Sequence, residues 1–144
     1  MIDSFSGKYF FLSNFYQVPV EYDGITYMNS EAAFQAQKTT DRAIRMYLSR
    51  CTPDMAKHKG RHINLRNDWE LIKDDVMYQI CLCKFKQNHD CMIKLLNTGN
   101  EKLIEGNTWG DTYWGVCNGI GKNRLGTILM RVRTELQNCT NREA

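Results

Sequence analysis

The chain has 144 residues, 42% of them hydrophobic and 24% charged, a balance that belongs to folded globular domains and excludes a disordered chain. Nineteen Lys and Arg against 16 Asp and Glu leave a net charge of +3, too mild to argue by itself for a nucleic-acid partner. No run approaches the ~20 apolar residues of a membrane span.

In chain order, residues 8–12 and 18–27 are rich in aromatic and β-branched residues. Asp23-Gly24 inside the second stretch is a two-residue hairpin signal, so 18–22 and 25–28 are predicted to pair antiparallel. Asn29 or Ser30 then caps a helix running to about Thr39. A second helix is predicted over 41–51, with Ile44, Met46, Tyr47 and Leu48 as its apolar content. A third covers 53–59, with Pro53 in the favoured first position and Gly60 as its stop. The longest candidate, 67–88, carries Trp69, Ile72, Val76, Ile80 and Cys83 at three- and four-residue steps. Asp90 to Thr98 reads as another helix closed by Gly99, 102–105 as a short strand, and 106–121 as a glycine-rich loop. The last helix is predicted over 123–136, burying Leu125, Ile128, Leu129, Val132 and Leu136, ahead of a polar tail at 138–144. These elements make one α+β domain over 1–144, helix-rich, with a core of about 5–136 and a small antiparallel sheet.

Six cysteines, Cys51, Cys81, Cys83, Cys91, Cys117 and Cys139, include no CxxC pair, and no apolar signal segment precedes Met1-Ile2-Asp3-Ser4. Free thiols in a cytoplasmic protein are the expectation.

Three stretches carry candidate chemistry. In Asn29-Ser-Glu-Ala-Ala-Phe-Gln-Ala-Gln-Lys38, helical spacing places Glu31, Phe34, Gln35 and Lys38 on one stripe, while Ala32, Ala33 and Ala36 let neighbours approach closely. A carboxylate in a first turn compensates the helix dipole, which alone accounts for Glu31. The polar stripe beneath it admits a second reading, a wall facing a reaction. In Asn107-Thr-Trp-Gly-Asp-Thr-Tyr-Trp-Gly115, two tryptophans and a tyrosine either plug a core or line a site that stacks a planar ring. Gly119-Ile-Gly-Lys-Asn123 leads into the last helix, an arrangement that can bring backbone N–H groups to a phosphate with Lys122 and Arg124 adding charge. It is not a Walker A loop, because Asn123 replaces the Ser or Thr that follows the lysine. A glycine-rich helix entry with solvated basic residues explains it equally.

His58 and His62 stand four apart, but Gly60 lies between them and no HExxH pattern is present, so no metal or other cofactor is expected. Arg61, Arg66 and Trp69 form a basic-aromatic cluster of the kind that stacks bases, or in which the tryptophan anchors the long helix.

Together these pieces resemble the NADAR-domain (YbiA-like) family. They are Phe11-Leu-Ser-Asn-Phe-Tyr16, Ser30-Glu-Ala-Ala-Phe-Gln-Ala-Gln-Lys38, Gly60-Arg61, Leu65-Arg66 with Asp68-Trp69, Lys84-Phe85, Leu96-Asn-Thr-Gly99, Asp111-Thr-Tyr-Trp-Gly115, and Gly121-Lys-Asn-Arg-Leu-Gly126 with Leu129-Met130 and Arg133. They fall in the family's order from about Phe5 to Leu136. Val116-Cys117-Asn118 departs from members that carry a carboxylate soon after the Trp-Gly, which bears on substrate preference.

The resemblance implies an N-glycosidase that hydrolyses a ribose C1–N bond. The substrate class it points to first is a riboflavin-pathway phosphoribosylamino-pyrimidine. The alternative is removal of ADP-ribose from guanine in nucleic acid, and a second alternative is a non-catalytic module binding ADP-ribose or a nucleotide. The family's essential glutamate falls on Glu31, and its aromatic and acidic positions on Trp69, Asp111 and Trp114, with Gly115 in the same motif. Glu31 and Asp111 are therefore the catalytic candidates. C1–N cleavage builds positive charge on the ribose, which a fixed carboxylate stabilises while orienting water. Trp69 or Trp114 suits a flat leaving base, and Lys38, Lys122, Arg124 or the helix start at Asn123 suits anionic groups. Asn14 is expected to bond the ribose or support Glu31. The expected partner is a small phosphoribosyl or ADP-ribosyl substrate, or ADP-ribosylated nucleic acid, and no membrane.

Overall fold

Asp23 and Gly24 adopt φ of 51° and 82° in the computed structural model, which describes residues 1–143. Two left-handed residues in succession give the turn whose twist matches a hairpin, and strands β1 (Val20–Tyr22) and β2 (Ile25–Tyr27) pair antiparallel with Val20 opposite Tyr27. The chain's contacts cluster into two compact units. One is contiguous, Asn14–Asn88; the other joins Met1–Ser13 to the chain from His89 onward.

The contiguous unit holds the hairpin and four helices: α1 (Ser30–Ala36), α2 (Arg42–Leu48), α3 (Pro53–Gly60) and α4 (Trp69–Gln87). Each of the first three is started by a side-chain cap. Asn29 accepts from the Ala32 N–H, Asp41 from the N–H groups of Ala43 and Ile44, and Thr52 from that of Met55. Helix α1 ends at Ala36, short of Thr39, because the N–H groups of Gln37, Lys38 and Thr39 turn back three residues, to Phe34, Gln35 and Ala36. Every residue of α1 is buried. Its alanines admit α3 and α4 on its flanks, and α4 also covers β1.

The terminal unit opens with a 3-10 helix, Gly7–Leu12, that buries Phe11 and Leu12 against α5 (His89–Leu96). Gly99, at φ 62°, closes the turn after α5. The expected strand at 102–105 is reduced to a single parallel bridge, Leu103 with Ile2, bonded through Ile2 N–H to Lys102 O and Ile104 N–H to Ile2 O, each 2.8 Å. Two residues of β3 (Gly106–Asn107) pair in parallel with two of β4 (Val116–Cys117) inside the stretch expected as loop. Helix α6 runs Arg124–Glu143, through most of the expected polar tail: no Gly or Pro follows Gly126, and Thr140 bonds back to the Leu136 carbonyl. Ala144 lies outside the described residues.

The architecture is the expected helix-rich α+β class with a small antiparallel pair. All six cysteines are free thiols, and burial pushes that of Cys81 up to about 12. Among the described residues no helix is long and apolar enough to cross a membrane.

Candidate active site

In the contiguous unit the backbone of α1 is tied down at its first turn. Asn29 bridges two elements, its Oδ1 taking the Ala32 N–H at 2.8 Å and its Nδ2 donating to the Cys51 carbonyl at 3.0 Å. The Asn14 carbonyl accepts the Glu31 N–H at 3.1 Å, and Asn14 Oδ1 accepts the Ser30 hydroxyl at 2.9 Å. Asn14 Nδ2 contacts Met77 Sδ at 3.3 Å. Asn14 thus holds the first turn of α1 through the Glu31 N–H and the Ser30 hydroxyl.

The Glu31 side chain is buried, at 8% exposure. One turn on, Gln35 Nε2 donates to Glu31 Oε1 at 2.9 Å. Gln35 Oε1 is also buried and has no hydrogen-bond partner in the protein. The Gln35 amide lies against Gly60: a Cβ at that glycine would sit 1.9 Å from Oε1 and 2.5 Å from Cδ. Lys38 Nζ donates to the Gly60 carbonyl at 3.4 Å. Burial pushes the Lys38 ammonium below its ordinary pKa, the Glu31 charge pulls it partly back, and Arg61 and Lys73 push it down further. Phe34 completes the stripe and tilts against the Trp69 ring at 5.2 Å between centroids. At 4% exposure Trp69 is a packed ring that backs Phe34.

In the terminal unit Asp111 organises a loop. Its Oδ1 accepts the N–H groups of Tyr113 at 3.1 Å and Trp114 at 2.9 Å, and its own N–H goes to Asn107 Oδ1. Asn107 Nδ2 in turn donates to the Asp111 carbonyl and to Glu105 Oε2, at 2.9 and 3.0 Å. Trp114 is half-buried, edge-on to Tyr113. Gly115 has no room for a side chain, because a Cβ there would fall 1.7 Å from Glu105 Oε2.

The start of α6 differs from the expected phosphate cradle. The N–H groups of Lys122, Asn123, Arg124 and Leu125 donate to the carbonyls of Thr112, Gly115, Tyr113 and Trp114 respectively. Those donors are engaged by the protein's own loop. Gly121 is required by packing, since a Cβ there would meet the Gly115 carbonyl at 2.1 Å. Asn123, at φ 53°, uses both ends of its amide on the backbone, Oδ1 from Glu105 N–H and Nδ2 to Leu103 O, each 2.9 Å. Lys122 and Arg124 remain exposed, and both lie over the Tyr113 ring.

Asn14, Glu31, Lys38 and Trp69 thus belong to the contiguous unit, and Asp111, Trp114, Gly115, Lys122, Asn123 and Arg124 to the terminal one. Gly60, Glu105 and Asn107 are not among the candidate site residues of the sequence, although Gly60-Arg61 is one of the family-resembling pieces and Asn107 opens the stretch to Gly115. Gly60 was visible as a helix end, and Asn107 as the residue four before Asp111. Among the described residues no three His, Cys, Asp or Glu side chains converge as metal ligands; His58 and His62 pack edge-on, 5.0 Å apart.

The NADAR domain profile matches residues 3–137. The chain is 42% identical over 137 residues to the N-glycosidase YbiA of Shigella flexneri serotype 5b, an alignment covering 92% of this chain and 85% of that protein. It is 37% identical over 131 residues to a riboflavin biosynthesis protein of Vibrio vulnificus, covering 88% of this chain and 35% of that one. Among solved structures, the NMR structure of the E. coli protein YbiA superposes with a TM-score of 0.85 at 37% identity, over 97% of this chain and 89% of that one. A match across nearly the whole chain, in sequence and in fold, places this protein in the NADAR family, and it is an N-glycosyl hydrolase.

Proposed function

We propose that the enzyme hydrolyses the C1–N bond between ribose and an amine, that its substrate class is the phosphoribosylamino-pyrimidine intermediates of riboflavin synthesis, and that Glu31 is the catalytic carboxylate. The observation that carries the assignment is the buried Glu31 carboxylate, held by an amide donor and standing within electrostatic reach of a half-buried lysine. Departure of the amine leaves positive charge shared between C1 and the ring oxygen. An ionised carboxylate stabilises that charge and takes a proton from the attacking water as its oxygen bonds to C1, and that proton passes to the departing nitrogen, which leaves as the neutral amine and restores the carboxylate. Lys38 supplies a cation for an anionic substrate group.

The riboflavin substrate class is supported by the name of the Vibrio vulnificus relative. Asp111 acts by holding its loop in shape rather than by touching the reacting bond.

Glu31→Gln, which keeps the side-chain volume and removes the charge, is expected to stay folded and lose about 10²–10⁴-fold in kcat. Normal turnover by that variant sinks the assignment. The substrate is tested by incubating the enzyme separately with the phosphoribosylamino-uracil intermediate and with DNA bearing ADP-ribosylated guanine, reading products by mass spectrometry. Ribose 5-phosphate from the first supports the proposal. ADP-ribose from the second alone replaces it with a nucleic-acid substrate, and no product from either leaves a binding module.

A further inference from the structure

Gly60 has a helix-end position that explains a glycine locally, yet its backbone is not left-handed. No conformational demand therefore requires glycine there. What requires it is space: a Cβ would fall within 1.9 Å of Gln35 Oε1, 2.5 Å of its Cδ and 3.2 Å of its Cγ. The same residue's carbonyl takes the Lys38 ammonium. The amide and the ammonium that flank Glu31 both rest on one residue of α3.

The Gln35 amide is itself held in a costly orientation. Its carbonyl oxygen is buried without a hydrogen-bond partner, a state that ordinarily destabilises a fold. Turning the amide over would direct that oxygen at Glu31 Oε1, setting one acceptor against another. An unpaired carbonyl is tolerated so that an N–H can face the carboxylate, and that arrangement favours the ionised form of Glu31.

We propose that Gln35 and Gly60 are positioning residues for the catalytic carboxylate: Gln35 holds Glu31 ionised and in one rotamer, and Gly60 is the seat that lets the Gln35 amide do so. This deepens the function proposed above and rests on Glu31 being the catalytic group. Lys38 lies next to the carboxylate on the same stripe, Arg61 after α3 and Lys73 on α4 act on Lys38, and the buried Lys84 lies on α4, which packs against α1.

The test uses two variants, Gln35→Met, which keeps length and removes the donor, and Gly60→Ala, which crowds the amide. The carboxylate carbon of Glu31 is followed by NMR across a pH titration, and kcat and KM are measured against pH on the phosphoribosylamino-uracil substrate. Losing a hydrogen bond to the charged form should raise the Glu31 pKa. The acid limb of the kcat profile should move up with it, and kcat should fall about 10- to 100-fold with KM little changed. In a Gln35→Met background Gly60→Ala should produce no additional shift of the Glu31 pKa, which a purely structural role for the glycine would not predict. Glu31→Gln is measured alongside. If it is inactive while the Glu31 titration is unmoved in both variants, the positioning role is overturned and the catalytic assignment stands. If it retains turnover, the catalytic assignment fails and the positioning role falls with it.

Discussion

Lys38 is a half-buried ammonium whose pKa is held down chiefly by desolvation, so the fold bears a penalty for keeping it charged at neutral pH. Replacing it with methionine, which fills the same space without the charge, should raise stability at pH 7. The sign of the pH dependence follows from linkage. Between the depressed folded value and the ordinary 10.5, the unfolded chain binds more protons than the folded one, so this residue's contribution to stability improves as pH rises through that window. The stability gap between Lys38→Met and wild type should therefore narrow toward pH 10.5, as measured by urea denaturation at stepped pH. A gap independent of pH would show that the ammonium carries no such penalty. At this scale the stripe itself was legible from helical spacing: Glu31, Gln35 and Lys38 do lie along one side of the α1 region. The close approach of Gly60 was not, because a glycine at a helix end already has a local explanation and the contact spans 25 positions of sequence.

The start of α6 shows the same limit among elements. Glycines ahead of a helix, followed by Lys and Arg, read as an anion cradle, but the N–H groups are taken by the carbonyls of residues 112–115. Sequence pattern records that donors converge there. It does not record what fills them, because the filling loop has no periodicity of its own. The end of α6 was misplaced for a complementary reason: polar composition after 137 marks the loss of a buried face, not the loss of helix. Asn123 ties the 103–105 stretch to this helix, bridging Glu105 N–H and Leu103 O from a left-handed backbone. Gly126 leaves the room, since a Cβ there would meet the Asn123 amide at 2.4 Å. Asn123→Ala loses both bonds and strains the backbone, and should cost on the order of 2–4 kcal/mol. Asn123→Gly loses the bonds without the strain and should cost less. Equal urea midpoints for wild type and the alanine variant would contradict this bridge.

Across the whole molecule the mild net charge conceals a strong segregation. Between Lys38 and Arg66 the sequence places eight Lys or Arg against two Asp, while the rest of the chain is net negative. That basic segment lies entirely in the unit that carries Glu31, and Arg42, Arg50, Arg61 and His62 are exposed on it. Association of a phosphorylated substrate should therefore be steered by charge and weakened by screening. We expect kcat/KM on the phosphoribosylamino-uracil substrate to fall as salt is raised from about 20 to about 500 mM, chiefly through KM, and Arg61→Glu to flatten that dependence. A flat salt profile in the wild-type enzyme would remove the segment from substrate capture.

The division of the chain into a contiguous unit and one assembled from both its ends has a consequence during synthesis. Everything that packs around Glu31 within Asn14–Asn88 has emerged once that stretch has cleared the ribosome. Ile2, by contrast, is made before that stretch, and its pairing partners around Leu103 appear about a hundred positions later. Residues 1–13 must wait unpaired while a later stretch is already able to form. Closure of the terminal unit is thereby a late, long-range event, with the loop-closure entropy of the intervening chain as its barrier.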